Sequence, residues 1–261
     1  MLSAITSLQL INRNIAQSKA TVAADPTVAR ETAYYQANIS AIKTSADFVD
    51  DYRVFSYAMN AYGLGDMIYA KAFMRHVLDG GVAHANSMAN QLSDPRFKAF
   101  AAAFDFGDKG AAATAGAAAA QAVTDRYIEQ TLEDNTGQQN QGAQLALYFQ
   151  RQAPHIKSGM DILADKALSQ FVQTAFNIPV SASASIDSQA AYIESKVHIA
   201  DLQDPAKVAA LVSRFAVMWD LQNNNAVAAN PSLSLLSASS PASSGFSTDL
   251  LNQIQLLHSH I

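Results

Sequence analysis

Apolar residues recur at spacings of three and four along most of this chain, the period of a helix with one buried face. The plainest instance is Asp94-Pro95-Arg96-Phe97-Lys98-Ala99-Phe100, continued through Phe104 to Phe106-Gly107. Asp94 suits an N-cap, and Pro95 suits a first turn, where no amide hydrogen bond is lost. Phe97, Phe100 and Phe104 make one stripe, and Gly107 is expected to take a left-handed closing cap.

The same grammar predicts the other elements. A first helix carries Met1, Ile5, Leu8, Ile15 and Val22 on one seam, with Asn12 among them. Asp25-Pro26 starts a second over about 27–41, faced by Tyr35, Ile39 and Ile42. A third opens at Ser45 and runs through Phe48, Tyr52, Phe55, Met59 and Tyr62 to Gly63; a fourth runs from Gly65-Asp66 to Gly80-Gly81. A short helix passes through Met88, and a Gly/Ala-rich connector occupies 108–120. Helix resumes from Val123, breaks at Thr136-Gly137, and continues through Leu145, Tyr148 and Phe149 to Pro154. One helix is expected over 158–176, a short one capped by Asp187, and a long one from Asp204-Pro205 through Phe215 and Trp219. Residues 222–247 read as a linker, and Leu250, Ile254, Leu257 and Ile261 close the chain as an amphipathic helix. No period-two stretch suggests a strand. The fold expected is all-α, a compact multi-helix array built from repeated helical modules with amphipathic terminal helices. Its parts are N-terminal helices over 1–44, a helical core over 45–222, and linker plus terminal helix over 223–261.

Set in one column, Tyr62, Phe104, Phe176 and Trp219 align four helices, with Ala58, Phe100, Val172 and Phe215 four residues earlier. This reads as duplication, with halves about 45–107 and 123–222, or as the family likeness of all capped, aromatic-faced helices.

Composition narrows function by exclusion. The 261 residues are 49% hydrophobic and 15% charged, with a net charge of -5 spread in single charges. Clustered Lys and Arg are absent, which argues against nucleic acid as a partner. Without cysteine there is no disulfide, thiolate nucleophile or Cys-based zinc site. No uncharged apolar run approaches the ~20 residues of a membrane span. Arg13 and Lys19 sit inside the first amphipathic pattern, unlike the charges of a cleaved signal. The expected location is the cytoplasm, or outside by a route without a cleaved signal peptide.

Candidate chemistry is thin. None of the six histidines lies in a His-Glu-x-x-His array, and His76 and His84 merely flank the Gly80-Gly81 break. Asp161 and Asp165 share a helical face, where a solvated surface and an N-terminal charge bias account for them. Gly63-Leu64-Gly65 follows a helix and so cannot be a dinucleotide fingerprint. No catalytic residue, metal ligand or cofactor is expected. The terminal seams are the best lead: Ile5, Leu8, Asn12 and Ile15 at one end, Leu250, Ile254, Leu257 and Ile261 at the other. They either pair with helices of partner proteins or of further copies, with Asn12 setting register, or fold back on their own core.

Several blocks carry a family resemblance: Phe48-Val49-Asp50-Asp51-Tyr52-Arg53-Val54-Phe55, Tyr69-Ala70-Lys71-Ala72-Phe73, the stretch around Phe97, Gly142 to Phe149, and Ile162 to Leu168. Together they resemble the domain of unknown function 1217 family over about residues 45–222. The resemblance implies an alphaproteobacterial, flagellum-associated context and brings no catalytic residues with it. Flagellar axial proteins are similar in their uncleaved, Ala/Ser/Asn/Gln-rich helical ends, although this chain has no firm terminal motif of theirs. The expected function is therefore non-enzymatic: a structural or protein-interaction protein of flagellar assembly or structure, either an exported axial or cap-like component or an assembly factor. The alternative is a helical small-molecule binder or enzyme with a pocket between modules, near Arg53, His76 and Arg96.

Overall fold

A computed structural model describes residues 2–178 and 185–223. The chain divides into two units, Met1–Asp220 and Leu221–Ile261. The second is described only at residues 221–223, so the linker and the terminal seam at Leu250, Ile254, Leu257 and Ile261 lie outside the described residues.

The described residues are helical, with no strand among them. In order the helices are α1 (Ala4–Arg13), α2 (Ile15–Ala23), α3 (Pro26–Asn38), α4 (Ser45–Asp50), α5 (Tyr52–Ala61), α6 (Lys71–Asp79), α7 (Met88–Gln91), α8 (Pro95–Ala103) and α9 (Phe106–Lys109). They continue with α10 (Ala117–Gln139), α11 (Gln141–Gln152), α12 (Gly159–Ala164), α13 (Lys166–Phe176), α14 (Ile186–Lys196) and α15 (Pro205–Gln222). The array is all-α, as its apolar period predicts. The three Asp-Pro starts hold: Asp25, Asp94 and Asp204 each accept backbone N–H bonds from the turn they open.

Three expected long helices are each two. Asn14, Asp51 and Asp165 leave helical geometry and accept amide N–H bonds from the residues that follow, so each ends one helix and caps the next. The apolar stripe runs on across each break, which is why spacing alone predicts continuity. The break expected at Thr136-Gly137 lies instead at Asn140, which caps α11. Ser185, not Asp187, caps α14. Gly107 is not a left-handed cap either. It lies in α9, and the Asp79 carbonyl stands 2.7 Å from where its Cβ would be.

Capping features recur at one fixed interval, over bounds other than 45–107 and 123–222. Thr44 and Ser158 form capping boxes with Asp47 and Asp161, and Asp51 and Asp165 cap the next helix with two amide bonds each. Gly63 (φ 68°) and Asn177 (φ 50°) take the left-handed turn that ends it. The amides of Leu64 and Ile178 then bond back to the carbonyls of Met59 and Gln173. Every one of these pairs is separated by 114 residues (44 to 158, 51 to 165, 63 to 177). The repeating unit is thus α3–α4–α5 against α11–α12–α13, beginning ahead of residue 45. Phe104 and Trp219 do not share it: no left-handed residue follows Phe104, and Trp219 lies inside α15.

Each copy centres on three stacked rings. In the first, Tyr35 stacks on Tyr57 at 4.6 Å and Tyr57 on Tyr127 at 3.9 Å. In the second, Phe149 stacks on Phe171 at 3.8 Å and Phe171 on Phe215 at 4.3 Å. The third ring comes from α10 in one copy and from α15 in the other. Two hydrophobic cores form around these stacks, the first adding Phe48, Phe100 and Phe104, the second Ile162, Val212 and Trp219.

The N-terminal helix belongs to the second core. Ala4 and Leu8 are buried there beside α11 and α15. The carboxylate of Asp220, fully buried, accepts the amides of Ala4 (2.8 Å) and Ile5 (3.1 Å), filling the open N–H groups of α1 from the far end of the unit.

Candidate functional site

Two adjoining depressions run along α1, α2, α10, α11 and α15. The apolar one, about 420 Å³, is lined by Ile5, Leu8, Val212, Ala216 and Val217, with Asn12, Gln150 and Ala209 at its edge. Those last three residues also line a polar cleft of about 630 Å³ that contains Lys19, Arg126, Glu129, Glu133, Arg151 and His155. The two therefore form one groove, apolar at one end and charged at the other.

The predicted N-terminal seam meets this groove unevenly. Leu8 is buried in its own core, which corrects its expected place on a partner-facing surface: α1 spends that face on α11 and α15. Ile5 packs half-buried beside it and borders the groove. Asn12 is exposed, and its amide donates to Gln150 Oε1 at 3.4 Å. Ile15 is exposed because the chain turns at Asn14, and Leu2 and Leu10 are more exposed still.

At the charged end, Arg151 and Glu133 form a buried two-bond pair, Nε to Oε1 at 2.6 Å and Nη2 to Oε2 at 2.8 Å. Nη2 also donates to Gln130 Oε1 at 2.8 Å. Burial pushes the Glu133 carboxyl up, and the Arg151 bonds pull it back. Lys19 pairs with Glu129. Arg126 has no such partner: its Nε is sealed from solvent without a hydrogen bond, and its guanidinium lies 4.4 Å over the Tyr62 ring. Burial, then the neighbouring Arg151 charge, lowers its pKa. Sequence reasoning missed this cleft, because residues 19, 62, 126, 133 and 151 carry no local motif.

A separate cleft of about 350 Å³ is lined by Gly63, Asp94, Arg96, Gln130, Tyr148, Asp165 and Lys166. Arg96 is tied to Asp94 and to the Gly63 carbonyl, and the Tyr148 hydroxyl donates to Asp165. Burial, then the Asp165 charge, raises the Tyr148 pKa. The three residues suggested for an inter-module pocket do not meet here: Arg53 pairs with Glu31 at 3.1 Å, and His76 is exposed on α6. Asp161 closes a capping box with Ser158 and Asp165 caps α13, so the two are not a carboxylate pair. Among the described residues, no three His, Asp or Glu are grouped to hold a metal ion, and no helix is long and apolar enough to cross a membrane.

No curated protein matches this chain. The crystal structure of protein AGR_C_984 from Agrobacterium tumefaciens is 48% identical to it, with a TM-score of 0.80, covering 85% of this chain and 97% of that one. The family model described as "Protein of unknown function (DUF1217)" matches residues 61–208, which hold the second copy of the repeat and the end of the first. Because that match spans more than half of the chain, the chain belongs to the DUF1217 family.

Proposed function

We propose that this chain is a non-enzymatic interaction protein that assembles through its terminal helices, in flagellar assembly or structure. One observation carries the reading: among the described residues an apolar groove lies open between α1 and α15, lined by half-buried Ile5 and Val217 over buried Val212. Exposed apolar surface of this kind is what a partner helix covers. The occupant is residues 250–261 of a second copy. Their apolar positions at Leu250, Ile254, Leu257 and Ile261 match helix-in-groove anchors. The flagellar setting rests on the family resemblance alone. In that setting the chain acts as an exported axial or cap-like component, or as an assembly factor.

Light scattering on the full chain and on a variant lacking 223–261 tests the assembly. The full chain should self-associate, while the deletion and Val217→Glu are monomeric with unchanged helical content. A monomeric full chain, or association that survives the deletion, refutes the reading. Capture of a different helical protein by the groove refutes the second-copy occupant. An exported component should appear in the medium of wild-type cells and vanish from a flagellar-secretion mutant.

A further inference from the structure

We infer that the Arg126 cleft is a binding site for a small carboxylic acid with an apolar body. The first argument is charge. Lys19, Arg126 and Arg151 line the cleft with Glu129, Glu133 and His155, so its cations outnumber its carboxylates by one even with the imidazole neutral. Geometry says which one. Arg151 is bonded to Glu133 and Lys19 to Glu129, whereas Arg126 makes no hydrogen bond or ion pair with any described residue. A half-buried guanidinium held this way is costly unless something anionic completes it.

The second argument is shape. Tyr62 covers one face of the guanidinium and Nε is sealed from solvent, which leaves the edge carrying the two Nη groups as the place for an acceptor. A planar carboxylate matches such an edge with two parallel bonds. A single uncompensated charge suits a monoanion better than a phosphate dianion. Beyond the charges the walls are Ile15, Leu132, Leu147 and Ala209, which would cover a hydrocarbon or aromatic body. The volume, about 630 Å³, falls within the range of small-molecule sites. This inference needs no second chain: the cleft shares Asn12, Gln150 and Ala209 with the docking groove, but Arg126 and the other charged groups lie only in the cleft.

Calorimetric titration of the full chain with benzoate, and with benzamide as its neutral isostere, tests it. Benzoate should bind saturably in the millimolar range and raise the melting temperature, and benzamide should do neither. Arg126→Gln should weaken benzoate by about tenfold or more, the worth of a charged hydrogen bond, and Arg126→Lys by less. Arg30→Gln, on an exposed side chain outside the cleft, should bind like the parent. Arg126 makes no hydrogen bond, so both of its variants should fold, as circular dichroism will show. Equal binding of benzoate and benzamide, unchanged affinity in Arg126→Gln, or no saturable benzoate binding would overturn the proposal.

Discussion

The two copies of the repeat solve one packing problem with different chemistry. In the first, Tyr57 shares a hydrogen bond of 2.9 Å with Thr32, and Arg53 pairs with Glu31. The matching residues 114 positions later are Phe171 with Ala146, and Ala167 with Leu145. Both members of each polar pair have become apolar together. Losing one partner of the buried Tyr57 hydroxyl strands a polar group, whereas losing both is nearly neutral; the half-exposed Arg53–Glu31 pair costs less to break. Tyr35 departs from this: its hydroxyl is buried without a partner, where the second copy places Phe149.

Making the copies alike in the wrong place should cost most. Gly142 stands where the first copy has Val28, and the Trp219 ring fills the space: its Cδ1 lies 2.3 Å from where a Cβ would be. Gly142→Val should lower stability by about 3 kcal/mol, read by denaturant unfolding with Trp219 fluorescence. A smaller loss would mean that the ring swings aside freely.

Alkali should distinguish the copies next. Burial raises the pKa values of Tyr35, Tyr57, Tyr62 and Tyr127 at the first core, and at the second, among the described residues, that of Tyr148 alone. The unfolded chain ionises these groups near their ordinary value of 10.0, ahead of the folded protein. Stability contributed by their neutral forms is therefore complete below pH 10 and drains away above it. The loss is about 1.4 kcal/mol per pH unit for each tyrosine still protonated in the fold. Unfolding followed between pH 9 and pH 12 should show this slope, and Tyr35→Phe should remove one tyrosine's share.

At neutral pH the same substitution should stabilise the fold by about 1 kcal/mol, because it discards a stranded hydroxyl and keeps the stacked ring. A thermal melt that falls instead would show that the hydroxyl has a partner worth keeping.

Much of this architecture could be read from residue order, because helix starts are local. Asp25-Pro26, Asp94-Pro95 and Asp204-Pro205 each announce a cap within two residues. Asp51 and Asp165 were opaque for the opposite reason: the apolar stripe passes through them, and only backbone geometry shows that each stops one helix before starting the next. The Tyr62–Phe176 alignment found the true register but not its extent, since aromatics alone do not report capping boxes. The groove and the Arg126 cleft were illegible, because they join α2, α10, α11 and α15 across more than a hundred residues. Spacing put Ile5, Leu8 and Asn12 on one seam, but nothing in spacing says that Leu8 is buried while Asn12 stays exposed.

The grip of Asp220 on the first turn of α1 bears on how the polypeptide is made. Ala4 and Leu8 have no complete seat until α15 has left the ribosome, some 216 residues after Ala4 was joined. Throughout synthesis that N-terminal segment must wait with its greasy side uncovered, while the tyrosine-lined half can already close on α10. Pulse proteolysis of stalled nascent chains should find residues 26–139 protected well before the first thirteen.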